Sequence, residues 1–510
     1  MKILVNIVFF GLAVGLFAQD TIRVGKEYKS VKRTAFEGFI GMDSTGFYSL
    51  DYEFVSKKKS GLYLNKYDRN SMDLIFTKDI SPLPKGEHYI EPVEIFNLNK
   101  KVFLAAIYVM PEEDLRRIAI YPISRDGVVD QPVMLDTIFS SQEKVNDFRI
   151  IVSEEHQNFV LITRRPFFKN KVTGYNLRKY DGGFNLIWED VVNFPYEAKN
   201  FEFKDISFDG LEKVMVLSKR MDVTGMVSNK MKKIENNKYN LWVYRHDTKK
   251  LNEFEISLQE KWIIDIRIIY KNDKIFVTGY YSEKRGVLLK GFFAITFDEN
   301  LNMLNALVKS LSEEDVKKFI KPDQVDERTH LEDFYLREAF VLENEEIVLI
   351  GEKYYKEIDT YFDPRTNISS YTDIYNYNSV LVSKINPEKR EILNVKIPKY
   401  QSTVNDNGYY SSIAYGVVKN DVWVFFNDTE KNIDLGNDLN ANYKTLFNNR
   451  RVIPMYVKID PENRVLRKPM NIPDDGFLLV PRYSDQLEDD HFYFIRERGR
   501  SANVVRFKPF

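Results

Sequence analysis

Apolar and polar positions alternate in short runs along nearly the whole chain, and residues 262–309 show the repeating unit most cleanly. The runs 263–269, 274–280, 290–297 and 302–308 are rich in Ile, Val, Phe and Tyr. Lys271-Asn272-Asp273 and Asp298-Glu299-Asn300 supply turns, and a loop holding Gly286 separates the middle pair. β-branched and aromatic runs bounded by Asn, Asp and Gly predict strands joined as hairpins. Four such strands in series predict one antiparallel meander.

The middle hairpin of this unit recurs. Its second strand falls at 46–54, 101–109, 158–165, 213–220, 274–280, 345–353, 421–427 and 491–496. Its third falls at 61–67, 115–123, 175–180, 239–245, 290–297, 378–385, 454–459 and 503–508. Self-similarity at a period of about sixty residues points to one repeat architecture before it points to separate domains. The last copy ends with the chain and has no fourth strand, while residues 21–28 form a strand without a copy of its own. Docking that strand on the last copy joins the two chain ends in one sheet and limits exposed sheet edges to short rims. The expected fold is therefore all-β, an eight-bladed β-propeller whose N-terminal strand closes the last blade. A seven-bladed ring with an irregular N-terminal region is the alternative, because the first copy is the weakest.

The first eighteen residues stand apart. Lys2 is their only charge, 3–17 is an almost unbroken apolar run, and Ala18-Gln19-Asp20 begins polar sequence. This is the layout of a secretory signal, with removal after Ala18, and it is shorter than the roughly 20 residues that span a bilayer. The expected division is signal peptide 1–18 and a single propeller domain 19–510, exported to the periplasm, cell surface or medium. Cysteine is absent, which excludes a lipobox, disulfides and thiolate metal sites. Lys plus Arg number 74 against 75 Asp plus Glu, so no global charge favours nucleic acid.

The long connections are uneven. Residues 221–238, 310–333, 354–377 and 428–452 are large, and antiparallel order places all of them on one face. Insertions crowded on one face of a repeat ring often mark a binding face. Within 354–377 the aromatic residues Tyr354, Tyr355, Tyr361, Phe362, Tyr371, Tyr375 and Tyr377 form a loop suited to stacking on a protein or glycan. Innermost strands carry Arg149, Asp265, Arg267 and Arg337 toward a central channel, where acids and arginines would suit glycoside or sulfate-ester chemistry. Asn427, Asp428, Asp434, Asn437, Asp438 and Asn440 gather oxygen ligands for calcium, although their spacing departs from the twelve-residue calcium loop. His88, His156, His246, His330 and His491 lie in different copies with no pair at metal-ligand spacing, and no metal site is assigned.

In blade pattern the chain is similar to β-propellers over essentially all of 19–510. The resemblance implies a fold and no activity. The Gly-His and Trp-Asp marks of WD40 blades are absent, as are the Ser-x-Asp-x-Gly-x-x-Trp box of sialidases and the tryptophan docking of quinone-enzyme propellers. The expectation is an exported, non-catalytic binding or scaffold propeller whose loop-rich face meets a protein or glycan at the cell envelope. The alternative is a secreted carbohydrate-active enzyme with carboxylates at the central channel.

Overall fold

The computed structural model describes residues 21–509, except 57–58, 82–88, 111–114, 140–147, 154, 166–171, 198–200, 224–234, 287, 320–329, 364, 366–367 and 489. The signal segment 1–18 and His88 lie outside the described residues. Among these residues no helix is long and apolar enough to cross a membrane.

Eight sheets of four or more strands follow one another along the chain. They are numbered here by their second strands: Gly46–Ser56, Lys101–Met110, Asn158–Arg164, Lys213–Val223, Lys274–Ser282, Ile347–Asp363, Asp421–Thr429 and His491–Arg498. Sheet 5 runs Trp262–Lys271, Lys274–Ser282, Gly291–Asp298, Met303–Ser310 in spatial as in chain order. All pairings within the eight sheets are antiparallel except the short one between Gln401–Val404 and Leu446–Phe447. A separate two-stranded sheet pairs Leu288–Leu289 with Leu331–Glu332.

The apolar runs are nearly continuous because both faces of each sheet are covered. Side chains of a strand alternate between its faces. In sheet 5, Phe276 and Tyr280 join a core cluster with sheet 6, whereas Ile275, Val277 and Tyr281 join one with sheet 4. Eight such clusters each bridge two consecutive sheets, and the last of them links sheet 8 to sheet 1 through Phe47, Tyr67, Tyr493, Ile495 and Val504. First strands of successive sheets touch as well. Phe201–Phe208 meets Trp262–Lys271, which meets Phe334–Val341, and Asp485–Glu488 meets Thr34–Met42. Meanders packed face to face with first strands adjoining are the architecture of a β-propeller.

The chain ends meet as the sequence predicts. Thr21–Val24 pairs with Ser501–Lys508 in the register Thr21↔Lys508 to Val24↔Val505, and Tyr28–Lys29 continues at Ala502 and Ser501. Ile22 and Val24 pack on the cluster holding Phe425, Phe492 and Phe507. Each burial of this kind contributes on the order of 1–2 kcal/mol.

One expectation is corrected. Residues 354–377 are not a loop. Strands Ile347–Asp363 and Ile368–Asn386 of sheet 6 run on past the body as a continuous ladder, from Tyr354↔Tyr377 to Asp363↔Ile368. Period-two alternation of Tyr, Ile and Phe with Lys, Glu, Asp and Thr is strand patterning, and it prevails over the scattered Asn and Asp. A β-bulge between Glu352 and Tyr354 marks where the arm leaves the sheet.

Candidate functional site

The long connections meet at the base of this arm. Gln401–Val404 pairs with residues 374–377, and Leu446–Phe447 pairs with Gln401 and Ser402. Helix Glu313–Phe319 is capped by the Ser312 hydroxyl, which accepts from Asp315 N at 3.0 Å. Asn394 Nδ2 donates to Asp315 at 3.0 Å and Lys396 Nζ to Lys318 O at 2.5 Å, so the helix lies along the outer strand of sheet 6. Asn437 Nδ2 in turn donates to Lys396 O.

A buried ion network holds the arm's root. Glu352 is fully buried and lies 2.8 Å from Lys399 Nζ, which is itself 1% exposed. Arg337 reaches the same carboxylate through Nε at 2.9 Å and Nη2 at 2.8 Å, and the Ser412 hydroxyl donates to it at 2.6 Å. Burial pushes this carboxyl up, but Lys399 and Arg337 together hold it below the usual carboxylate range. Lys399 also donates to Tyr377 O and Gln401 Oε1, and Gln401 Nε2 donates to Asn427 O. Asn427 Nδ2 then reaches Tyr410 O and Leu479 O, tying sheets 6, 7 and 8 together.

The seven aromatic candidates divide in two. Tyr375 and Tyr377 are buried at the root, and Tyr354 and Tyr355 are half-buried. Tyr377 stacks within 4.7 Å of Tyr354, accepts a hydrogen bond from Arg482 Nη2, and is pushed up to about 12 by burial, against the Arg482 charge. Tyr375 donates to Asn407 Oδ1 at 2.8 Å. These rings fasten the arm to the connection 405–411. Gly408 makes the fit: its φ is +66°, and a Cβ there would lie 2.3 Å from the Tyr377 ring. Tyr361, Phe362 and Tyr371, by contrast, are 66%, 53% and 68% exposed at the distal end, with Ile358 at 60%. The ladder register puts Ile358, Phe362 and Tyr371 on one face and Tyr361 on the other.

The channel candidates lie on first strands and do not form one constellation. Arg267 Nη1 donates to Asp265 Oδ1 at 2.7 Å and to Ile266 O at 3.0 Å. Arg337 belongs to the Glu352 network. Arg149 lies in sheet 3, donating to Phe148 O at 3.4 Å, and its charge acts on Glu94 of sheet 2. Arg267 and Arg337 line a cavity of ≈ 680 Å³ between sheets 5 to 8, together with Glu338, Arg482 and Asp485, which sequence reasoning missed. Burial pushes the carboxyls of Glu338 and Asp485 above the ordinary range. A sequence signal for one of them exists: Asp265 and Glu338 each follow a one-residue β-bulge in a first strand, as does Asp205.

The calcium candidates are engaged in protein contacts. Asp428 is buried, accepts from Thr429 N and Asn432 Nδ2, and pairs with the buried Arg467. His246 stacks on Trp188 at 4.7 Å and lies 2.5 Å from Asp190. His156 contacts Asn97 O at 3.0 Å, His330 lies 3.9 Å from Glu332, and His491 lies beside Glu488 and Asp490.

No protein-family model matches the chain, and no curated protein does. Solved structures give distant likenesses. Polysaccharide lyase Uly1 is 10% identical over 95% of this chain and 99% of its own, with a TM-score of 0.39. The β-propeller domain of the Trilobed protease from Pyrococcus furiosus is 12% identical over 84% and 94%, with a TM-score of 0.35. The endosialidase of phage phi92 is 8% identical over 89% and 70%, with a TM-score of 0.33. At such scores these likenesses carry no functional argument, and the propeller assignment rests on the sheets themselves.

Proposed function

We propose that the chain is an exported eight-bladed β-propeller that works as a non-catalytic binding module, presenting the arm 354–377 to a protein partner at the cell envelope. The observation that carries this reading is the contrast along the arm. Its root is fixed by Glu352, Lys399, Tyr375 and Tyr377, while Ile358, Tyr361, Phe362 and Tyr371 stand in solvent. Exposed aromatic side chains on a rigid support supply contact area at low entropic cost, and Tyr is enriched among residues that dominate protein interfaces. Beyond residue 374 the ladder has no strand on its far side among the described residues, so an extended partner segment can add to it. The eight-blade count is supported by the eight inter-sheet clusters. Export is supported by residues 1–18 alone. The carbohydrate-active alternative draws less support, since Asp265 is paired with Arg267 and Glu352 with Arg337 and Lys399.

The test is the triple variant Tyr361→Ser, Phe362→Ser, Tyr371→Ser, compared with the parent in crosslinked capture from the native envelope. The reading expects a discrete protein partner that the variant loses while its melting temperature is unchanged. Equal capture by both proteins contradicts it. A glycan-array signal lost in the variant would replace the protein by a sugar.

A further inference from the structure

The cavity between sheets 5 to 8 is a separate feature from the arm's tip. We propose that it binds a small sugar carboxylate, a uronate, through Arg267 and Arg337 at the acid group and Glu338 and Asp485 at the ring hydroxyls. At ≈ 680 Å³ it lies within the roughly 300–1,000 Å³ of small-molecule sites.

The positive charge around it is not fully balanced. Arg267 is matched by Asp265. Arg337 and Lys399 share the single carboxylate of Glu352. Arg482 has neutral partners, the Tyr377 hydroxyl and Asn407 O. Four cations thus face two paired carboxylates, and a ligand anion is attracted to the remainder. Donor geometry agrees. The hydrogen bonds of Arg267 run from Nη1 and those of Arg337 from Nε and Nη2. That leaves Nη2 of the first and Nη1 of the second for a carboxylate, the planar oxygen pair that a guanidinium matches.

The acceptors restrict the rest of the ligand. Glu338 accepts from Ala339 N at 3.0 Å and Asp485 from Gln486 N at 2.8 Å, one backbone bond each. Their second oxygens suit donors such as hydroxyls and disfavour a second ligand carboxylate. Leu336, Phe340 and Tyr415 give an apolar wall for the C–H face of a pyranose.

The experiment is titration calorimetry of the parent with D-glucuronate and D-galacturonate, against D-glucose and D-galactose. The proposal expects one uronate to bind with a Kd of about 1 mM or tighter and the neutral sugars at least tenfold more weakly. Arg267→Gln and Glu338→Gln should each weaken the uronate about tenfold or more, with circular dichroism melts confirming that the variants fold. The arm-tip triple variant should bind the uronate as the parent does, which separates this site from the docking reading. Neither uronate binding below about 10 mM, neutral sugars binding equally, or both cavity variants titrating like the parent would overturn it. Tighter binding of L-glutamate than of either uronate would also overturn it, in favour of an amino acid.

Discussion

Glu352→Gln keeps the size of the side chain and removes the anion that Arg337 and Lys399 share. Lys399 is then left 1% exposed with Tyr377 O and Gln401 Oε1 as its neutral acceptors. Breaking one side of a buried pair in this way costs about 3–5 kcal/mol, because the stranded charge has lost its hydration and its counter-ion. Unfolding entropy of about 2.1 cal/mol/K per residue over 510 residues converts that loss to a melting temperature about 3–5 °C lower. The pH dependence adds a second signature. The folded carboxyl of Glu352 is depressed, so the stability it contributes is present above the unfolded carboxylate value of about 4.3 and is lost as pH falls through the folded value. The gap between parent and variant should therefore narrow in acid. Adding Lys399→Met removes the stranded cation, and the double variant should melt above Glu352→Gln alone. Scanning calorimetry at pH 7 and pH 4 makes these comparisons. A variant within about 1 °C of the parent at pH 7, or a double variant no better than the single, would refute the view that this network is a balanced cluster rooting the arm.

Two other groups give further checks. Asp51 is buried between sheets 8 and 1 near Glu497 and Glu37, and burial pushes it up to about 7. The folded chain then holds this proton more tightly than the unfolded chain, so stability falls as pH rises from about 4 to 7. Asp51→Asn should stabilise by up to about 4 kcal/mol at pH 8 and by little at pH 4, read by urea unfolding at both values. Gly408→Ala combines a left-handed backbone with a contact into the Tyr377 ring and should cost about 1–3 kcal/mol. Its near-ultraviolet dichroism should change with the displaced tyrosines, and an unaltered spectrum and melt would show that the arm root does not depend on this fit.

Much of the fold is legible in the sequence because packing between sheets buries both faces of the middle strands. That makes Val-, Ile- and Phe-rich runs such as 347–350 and 422–426 stand out. The closing strand 21–24 is legible for a topological reason, since the last copy lacks its outer strand. The first strand of sheet 1, Thr34–Met42, is hidden by Gly38 and Gly41, whose φ values of 140° and 143° accompany two bulges. The arm is misread because Asn, Asp and Lys between its tyrosines resemble loop composition, although their spacing of two is that of a ladder. Arg267 and Arg337 can be assigned to the axis from their place on first strands. Arg482, Asp485 and Lys399 cannot, because their positions come from connections whose course the local pattern leaves open. Lys399 meets Glu352 only through the way Gln401–Val404 docks on the arm.

The cavity and the arm both depend on a ring closed by the N-terminal strand, and the absence of cysteine allows a clean test of it. Arg23 and Arg506 are cross-strand partners in the closing pair. With both replaced by Cys, mild oxidation of the full chain should yield a monomer with one intramolecular disulfide, counted by mass spectrometry. Linking positions so far apart should raise stability by as much as about 5 kcal/mol. Free thiols after oxidation, or disulfide-linked dimers in place of the monomer, would contradict the closure.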